Sequence, residues 1–345
     1  MIIISKILAT TGLYQWIGRK QPTLSDSPVL DAGNKISNSG EYYRDGLTGV
    51  NNIHTNQEDN AITVGNFNTY LVDFAKEGII KALRKVFNKA DLKENRILFT
   101  EENVMTNTAA NATDFVGYEI NVSDIKDIAV RINQIIMTFD AAEAFRIYLF
   151  NSNSNAAINS TEITSVANTD VSQGFTDWIL SNNDYKGGKW YIGYLTDGRT
   201  AKAVNREWNN ASIRSRYNYI GIRPIKVSGW NVNTLFDVDD IEYVSETHGM
   251  NFDISVHQDF TDEILRNKEN YTELLKLQME VDVLELIWGS TRSNRTSRLN
   301  QDVFIDLWGD EEAGVVGIIT QLEREIKNLQ NSFNPKMKIK AGTIR

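Results

Sequence analysis

Apolar residues along this chain change their spacing twice. From Asn68 onward Leu71, Phe74, Ala75, Ile79, Ala82, Leu83, Val86 and Phe87 recur at steps of three and four, with Lys and Glu between them. That spacing gathers one stripe on an α-helix and predicts an amphipathic helix over 69–87. Between 104 and 256 the period drops to two, in Val116-Tyr118-Ile120-Val122, in Ile128-Val130-Ile132 and in Phe145-Ile147-Leu149, and strand-like runs follow at 189–195, 217–222, 241–244 and 252–256. Period two marks half-buried strands. Turn-rich stretches such as 184–188 and 196–199 divide them, as an antiparallel sandwich requires. Within this region Phe175, Trp178 and Ile179 are spaced for a short helix over Ser172–Ser181.

Helical spacing returns after Asp259 and Thr261, either of which can cap a first turn. Ile264, Tyr271, Leu274, Leu275, Val281, Leu284 and Trp288 predict a helix reaching Ile287, and a basic loop carrying Arg292, Arg295 and Arg298 follows it. A final helix is expected after Asp310, where Val315, Ile319, Leu322, Ile326, Leu329 and Phe333 alternate steps of four and three. This is a coiled-coil seam too short to stand alone, so it must pack on the preceding helix, on a neighbouring subunit, or on both.

Residues 18–65 show no sustained period and are rich in Gly, Asn, Ser and Asp. A long segment of this kind is either disordered or ordered by a neighbour, and the isolated aromatics Tyr14, Trp16, Tyr42 and Tyr43 favour the neighbour, since a solvating tail has little use for apolar anchors. The chain therefore reads as α+β. Its expected parts are an extended N-terminal arm (1–65), a helical segment (66–103), a central antiparallel β-sandwich (104–257) and a C-terminal helical hairpin or bundle (258–345) with a basic loop at 289–298.

Composition narrows the chemistry. The chain has 345 residues, no cysteine and a net charge of −9. An acidic surface opposes general attraction to nucleic acid or anionic membrane. The missing thiols exclude disulfides, thiolate metal sites and cysteine nucleophiles. The apolar start at Met1 has no basic flank or cleavage site of a signal peptide, and no run is long and apolar enough for a membrane span. The three histidines, His54, His248 and His257, do not share a metal-binding spacing. Neither a phosphate-cradling glycine motif nor a Gly-x-Ser-x-Gly elbow occurs. The acids Asp237, Asp239, Asp240 and Glu242 could ligate a cation, but they read more simply as a solvated turn, because the EF-hand glycine and terminal Glu are missing. The aromatics Trp178, Trp190, Tyr191, Tyr194, Trp208, Tyr217, Tyr219 and Trp230 could form a sugar-stacking platform, although alternation places most of them in a core. No catalytic residue, cofactor or metal is expected.

A sandwich of this style, with Phe115-Val-Gly-Tyr-Glu-Ile120 ahead of Phe145-Arg-Ile-Tyr-Leu-Phe150, then Phe175-Thr-Asp-Trp178 and Gly187-Gly-Lys-Trp-Tyr-Ile-Gly-Tyr194, in an Asn-rich chain without cysteine, resembles virion proteins of crAss-like phages that infect Bacteroidetes. The resemblance implies a non-enzymatic neck or tail ring subunit that links portal to tail. It further implies a homo-oligomeric ring of twelve or six copies around the DNA ejection channel, assembled in the host cytoplasm. On this reading the arm aromatics and the C-terminal seam are assembly contacts, and Arg292, Arg295 and Arg298 meet an acidic partner or passing genomic DNA. The alternatives are a carbohydrate-binding tail-fibre or adhesin module with a lectin-like sandwich, and a tail glycan hydrolase.

Overall fold

Where apolar and polar residues alternate, strands form, and they assemble into two antiparallel sheets. The structure is a computed structural model and describes all residues except 22–27, 43–49, 51–52, 54–64, 88–91, 100–106, 109–113, 123–126, 155, 182–183, 185–186, 207–218, 231–238, 290–296 and 334–345. The chain divides into two units, one of Met1 with Lys89–Phe260 and one of Ile2–Asn88 with Thr261–Arg345.

In the first unit the described strands are β1 (Leu92–Ile97), β2 (Asn107–Thr108), β3 (Asp114–Val122), β4 (Ile128–Met137), β5 (Ala144–Asn151), β6 (Asn159–Thr164), β7 (Val171–Gly174), β8 (Ile179–Ser181), β9 (Trp190–Leu195), β10 (Val204–Asn205), β11 (Ile220–Ser228), β12 (Ile241–Tyr243) and β13 (Met250–Gln258). One sheet runs β1-β13-β4 with β7 and β8 both on β4, and the other runs β12-β11-β3-β9-β5-β6. Each pairing within them is antiparallel. A single cluster of buried side chains draws on both sheets, with Tyr118, Ile147, Trp190 and Ile192 from one and Ile132, Ile135, Phe252 and Ile254 from the other. A second cluster, Phe115, Phe150, Tyr191, Ile225 and Val227, covers the six-stranded sheet's other face. That explains why β3 and β9 are buried at almost every position instead of alternately.

Two expectations fail in this unit. Leu92–Ile97, placed in a helical segment by the reading of 66–103, is a strand paired with β13. Ser172–Ser181 is not a helix but the strands β7 and β8. Phe175 and Trp178 mimic helical spacing because their rings stack on each other, at 4.0 Å between centroids, in the link between the two strands.

The second unit is helical, with α1 (Ile4–Ile7), α2 (Ala32–Lys35), α3 (Phe67–Phe87), α4 (Thr261–Arg266), α5 (Thr272–Gly289), α6 (Ser297–Trp308) and α7 (Ile318–Phe333), and a two-strand hairpin of β14 (Gly309–Asp310) and β15 (Val315–Val316). The helix expected to run unbroken to Ile287 is interrupted after Arg266, where Asn267 leaves helical geometry and its amide donates to the Glu263 carbonyl at 3.2 Å. α5 is buried at every position from Leu277 to Leu284, so it is the central helix of the unit. Its polar residues are therefore partnered: Lys81 meets Asp282 at 3.2 Å, Gln278 donates to the same carboxylate at 3.0 Å, and Lys85 donates to Gln278 at 2.8 Å. Lys81 and Lys85 thus serve packing within the unit.

The N-terminal residues fall in this unit, and the described ones pack within it. Ile7, Leu13, Ile17 and Leu30 are buried. Asn68 at the start of α3 accepts from the Asp31 amide at 2.9 Å and donates to the Val29 carbonyl at 2.9 Å, while buried Arg19 donates to Asn34 and to the Leu71 carbonyl, each at 3.1 Å. The described part of 18–65 is thus ordered by its own chain. These backbone groups find partners in caps and side chains, which leave no periodicity to read.

Candidate functional site

Helix α6 is two-sided. Val303 and Leu307 are fully buried, whereas Phe304 and Trp308, one turn apart, are 46% and 45% exposed. Trp288 at the end of α5 is 43% exposed and completes a ring cluster, with centroids 5.8 Å from Phe304 and 5.5 Å from Trp308, and 4.9 Å between those two. In the hairpin that follows α6, Val315 and Val316 are each 44% exposed.

Glycines hold the hairpin against the helix end. A Cβ on Gly317 would sit 2.4 Å from the Leu307 carbonyl oxygen, and Gly309 has φ +88, a conformation open to glycine at little cost. Between them Asp310 accepts from the amides of Glu312 and Ala313 at 3.0 and 3.1 Å and closes the turn. Glu311 and Glu312 are exposed at its tip. From Leu299 to Gly317 the sequence holds Asp302, Asp306, Asp310, Glu311 and Glu312 and no Lys or Arg. Phe304 and Trp308 lie in this acidic segment, and Trp288 precedes the loop that carries Arg292, Arg295 and Arg298. Chemically the site can bind, by burying rings and attracting cations.

The residues singled out from sequence divide sharply. Tyr14 is half-buried with the Lys76 ammonium 5.7 Å from its ring, and Trp16 donates to Thr272 at 2.8 Å, so both anchor the N-terminal segment to helices of the same unit. Tyr42 is 37% exposed. Tyr43, Arg292 and Arg295 lie outside the described residues, as do the side chains of Arg298 and Phe333. In the expected seam Leu322 and Leu329 are buried, Ile319 and Ile326 are half-buried, and α7 packs on α3, α5 and α6. Val315 is not on a helix, because α7 opens at Ile318; it belongs to the exposed hairpin. Phe304, Trp308 and Val316 were not anticipated, although Leu299, Val303 and Leu307 at steps of four mark a helix there whose other side must face elsewhere.

The first unit keeps its chemistry to itself. Trp178, Trp190, Tyr191 and Tyr194 are buried, so they form core and no sugar platform, while Trp208 and Tyr217 lie outside the described residues. Lys189 reaches buried Glu119 at 2.9 Å, with the Tyr243 hydroxyl donating to the same carboxylate at 3.2 Å. Arg199 lies 3.6 Å from the centre of the Phe145 ring and 4.7 Å from those of Phe139 and Tyr194, with Glu143 3.8 Å away. His248 is buried with φ +53, and burial pushes its pKa down to about 4, with the Lys226 charge adding to the fall and a hydrogen bond to the Ile225 backbone opposing it. His257 contacts Ser255 at 2.9 Å. His54, Asp237 and residue 238 lie outside the described residues, and Asp239, Asp240 and Glu242 are exposed. Among the described residues no three His, Asp or Glu gather for a metal ion, and no helix is long and apolar enough to cross a membrane.

No family model, curated protein or solved structure matches the chain.

Proposed function

We propose that this chain is a structural subunit without catalytic activity, and that it joins a larger assembly through the face formed by Trp288, Phe304, Trp308, Val315 and Val316. The observation that carries this reading is the exposure of three mutually touching aromatic rings, each more than two-fifths open to solvent. Large exposed apolar patches mark interaction surfaces, and tryptophan is the side chain most enriched where binding energy concentrates. In the same unit Tyr14 and Trp16 make contacts within the chain. We read the two sheets as a β-sandwich and the helices as a bundle around α5. The paired charges of the sandwich, Lys189 with Glu119 and Lys226 with Asp114 at 3.1 Å, support a rigid body more readily than a reaction centre.

With the resemblance to crAss-like phage virion proteins, we read this assembly as one in the neck or tail, a ring or adaptor between portal and tail that forms part of the DNA channel. An acidic chain suits that position, since like charge keeps a wall from holding passing DNA. The test is native mass over a concentration series, for the chain alone and mixed with a candidate portal complex. Rings or a portal-bound stack, lost in a Phe304→Ala/Trp308→Ala variant, are expected. A chain that remains monomeric and ignores the portal would overturn the proposal.

A further inference from the structure

The acidic aromatic face calls for an occupant that is both basic and apolar, and this chain carries one in its sequence. Residues 334–345, outside the described residues, read Asn-Pro-Lys-Met-Lys-Ile-Lys-Ala-Gly-Thr-Ile-Arg, with Lys336, Lys338, Lys340 and Arg345 and no acidic side chain. The segment opposes five acids and no cations across Leu299–Gly317 with four cations and no acids. The segment offers Met337 and Ile339 as apolar groups for the rings of Trp288, Phe304 and Trp308, and Lys336, Lys338 and Lys340 as cations for the carboxylates of Glu311 and Glu312. Methionine sulfur against aromatic rings adds to such a contact.

Geometry decides whose segment it is. The hairpin adjoins the start of α7 at Ile318, and residues 334–345 begin beyond its other end at Phe333. Sixteen helical residues span about 24 Å at ~1.5 Å per residue. A chain doubling back along its own helix uses about seven residues to cover that distance, at ~3.3 Å each. Its own Lys336–Lys340 stretch would be spent on the way, and only residues from about Ala341 onward would arrive. The full Lys-Met-Lys-Ile-Lys run reaches an acidic face only on another molecule.

We infer that residues 334–345 of one copy dock on the Trp288–Phe304–Trp308 face of a second copy, a head-to-tail contact that propagates around a ring or along a stack. This rests on the reading of that face as an assembly surface and names its partner.

The test uses four full-length chains in sedimentation velocity at low salt: the natural one, a tail reversal (Lys336→Glu, Lys338→Glu, Lys340→Glu), a hairpin reversal (Glu311→Lys, Glu312→Lys) and a chain carrying both. Glu311 and Glu312 are exposed and Asp310, which closes the turn, is left in place, so the hairpin survives its reversal. Each single reversal is expected to weaken self-association at least about tenfold, because like charges then meet across the contact, and the double reversal to restore it to within a few-fold. Association of equal strength in all four chains would overturn the assignment of the tail while leaving the face an assembly surface. A natural chain monomeric at every concentration would overturn both.

Discussion

Two aromatic clusters in this chain have similar ring spacings and opposite relations to water. In the two-sheet unit Tyr118 meets Phe252, and Phe139 meets Phe145 and Tyr194, at centroid distances of 4.9 to 5.6 Å, and none of these residues is more than 9% exposed. In the helical unit Trp288, Phe304 and Trp308 stand 4.9 to 5.8 Å apart and are 43 to 46% exposed. Ring contacts of this kind contribute about 0.5–1.5 kcal/mol beyond burial wherever they occur. Full burial of a large apolar side chain contributes a further ~1.5–3 kcal/mol, which the first cluster has realised and the second has not. The first cluster stabilises the fold. On the proposed reading, the second would gain the remaining burial against a partner.

Substitutions should separate the two. Trp190→Ala, in the shared core at 1% exposure, is expected to lower the unfolding free energy by about 3–5 kcal/mol in urea denaturation. A loss below about 1 kcal/mol would mean that the two sheets do not share a tight core.

A second consequence concerns pH. His248 has a folded pKa of about 4, below its ordinary 6.5. The unfolded chain therefore binds its proton more readily, and this contribution to stability is complete above about pH 6.5 and lost as the pH falls towards 4. Urea denaturation between those limits should show the decline. His248→Asn, whose side chain tolerates the positive φ, should flatten it; an unchanged slope would contradict the buried neutral imidazole.

Arg19→Met removes the bonds to Asn34 and the Leu71 carbonyl. It should cost the helical unit about 1.5–3 kcal/mol and open the N-terminal residues to limited proteolysis. Resistance equal to that of the natural chain would mean that the segment is held by other contacts. The smallest effect on stability is expected for Trp308→Ala, about 1–2 kcal/mol, because nearly half of the ring is already solvated. Its effect should appear instead in association, as a weakening of at least about tenfold on a mass-against-concentration curve.

The same contrast explains what the sequence could tell. The strands were legible because Val116-Tyr118-Ile120 and Phe145-Ile147-Leu149 alternate cleanly, and each of these six side chains joins the shared core. The helix α3 was legible for the corresponding reason at its own period. The N-terminal residues were not, because Asn68, Asn34 and Arg19 hold them by hydrogen bonds, which no spacing reports. The candidate site was half legible. Val315 and Trp288 were picked out, but as members of buried helical stripes, and Phe304 and Trp308 went unremarked, because periodicity identifies a helix without saying which side is covered. Tyr14 and Trp16, expected to meet a neighbour, also make contacts within the chain, which their isolation in the sequence does not report.

Sedimentation equilibrium of the natural chain beside a Phe304→Ser/Trp308→Ser variant, over a wide concentration range, reads the proposed role of the exposed rings. The natural chain is expected to associate in a concentration-dependent way, while the variant stays monomeric and unfolds within about 3 kcal/mol of the natural chain. Equal association by both chains, or monomers of both at every concentration, would contradict that role.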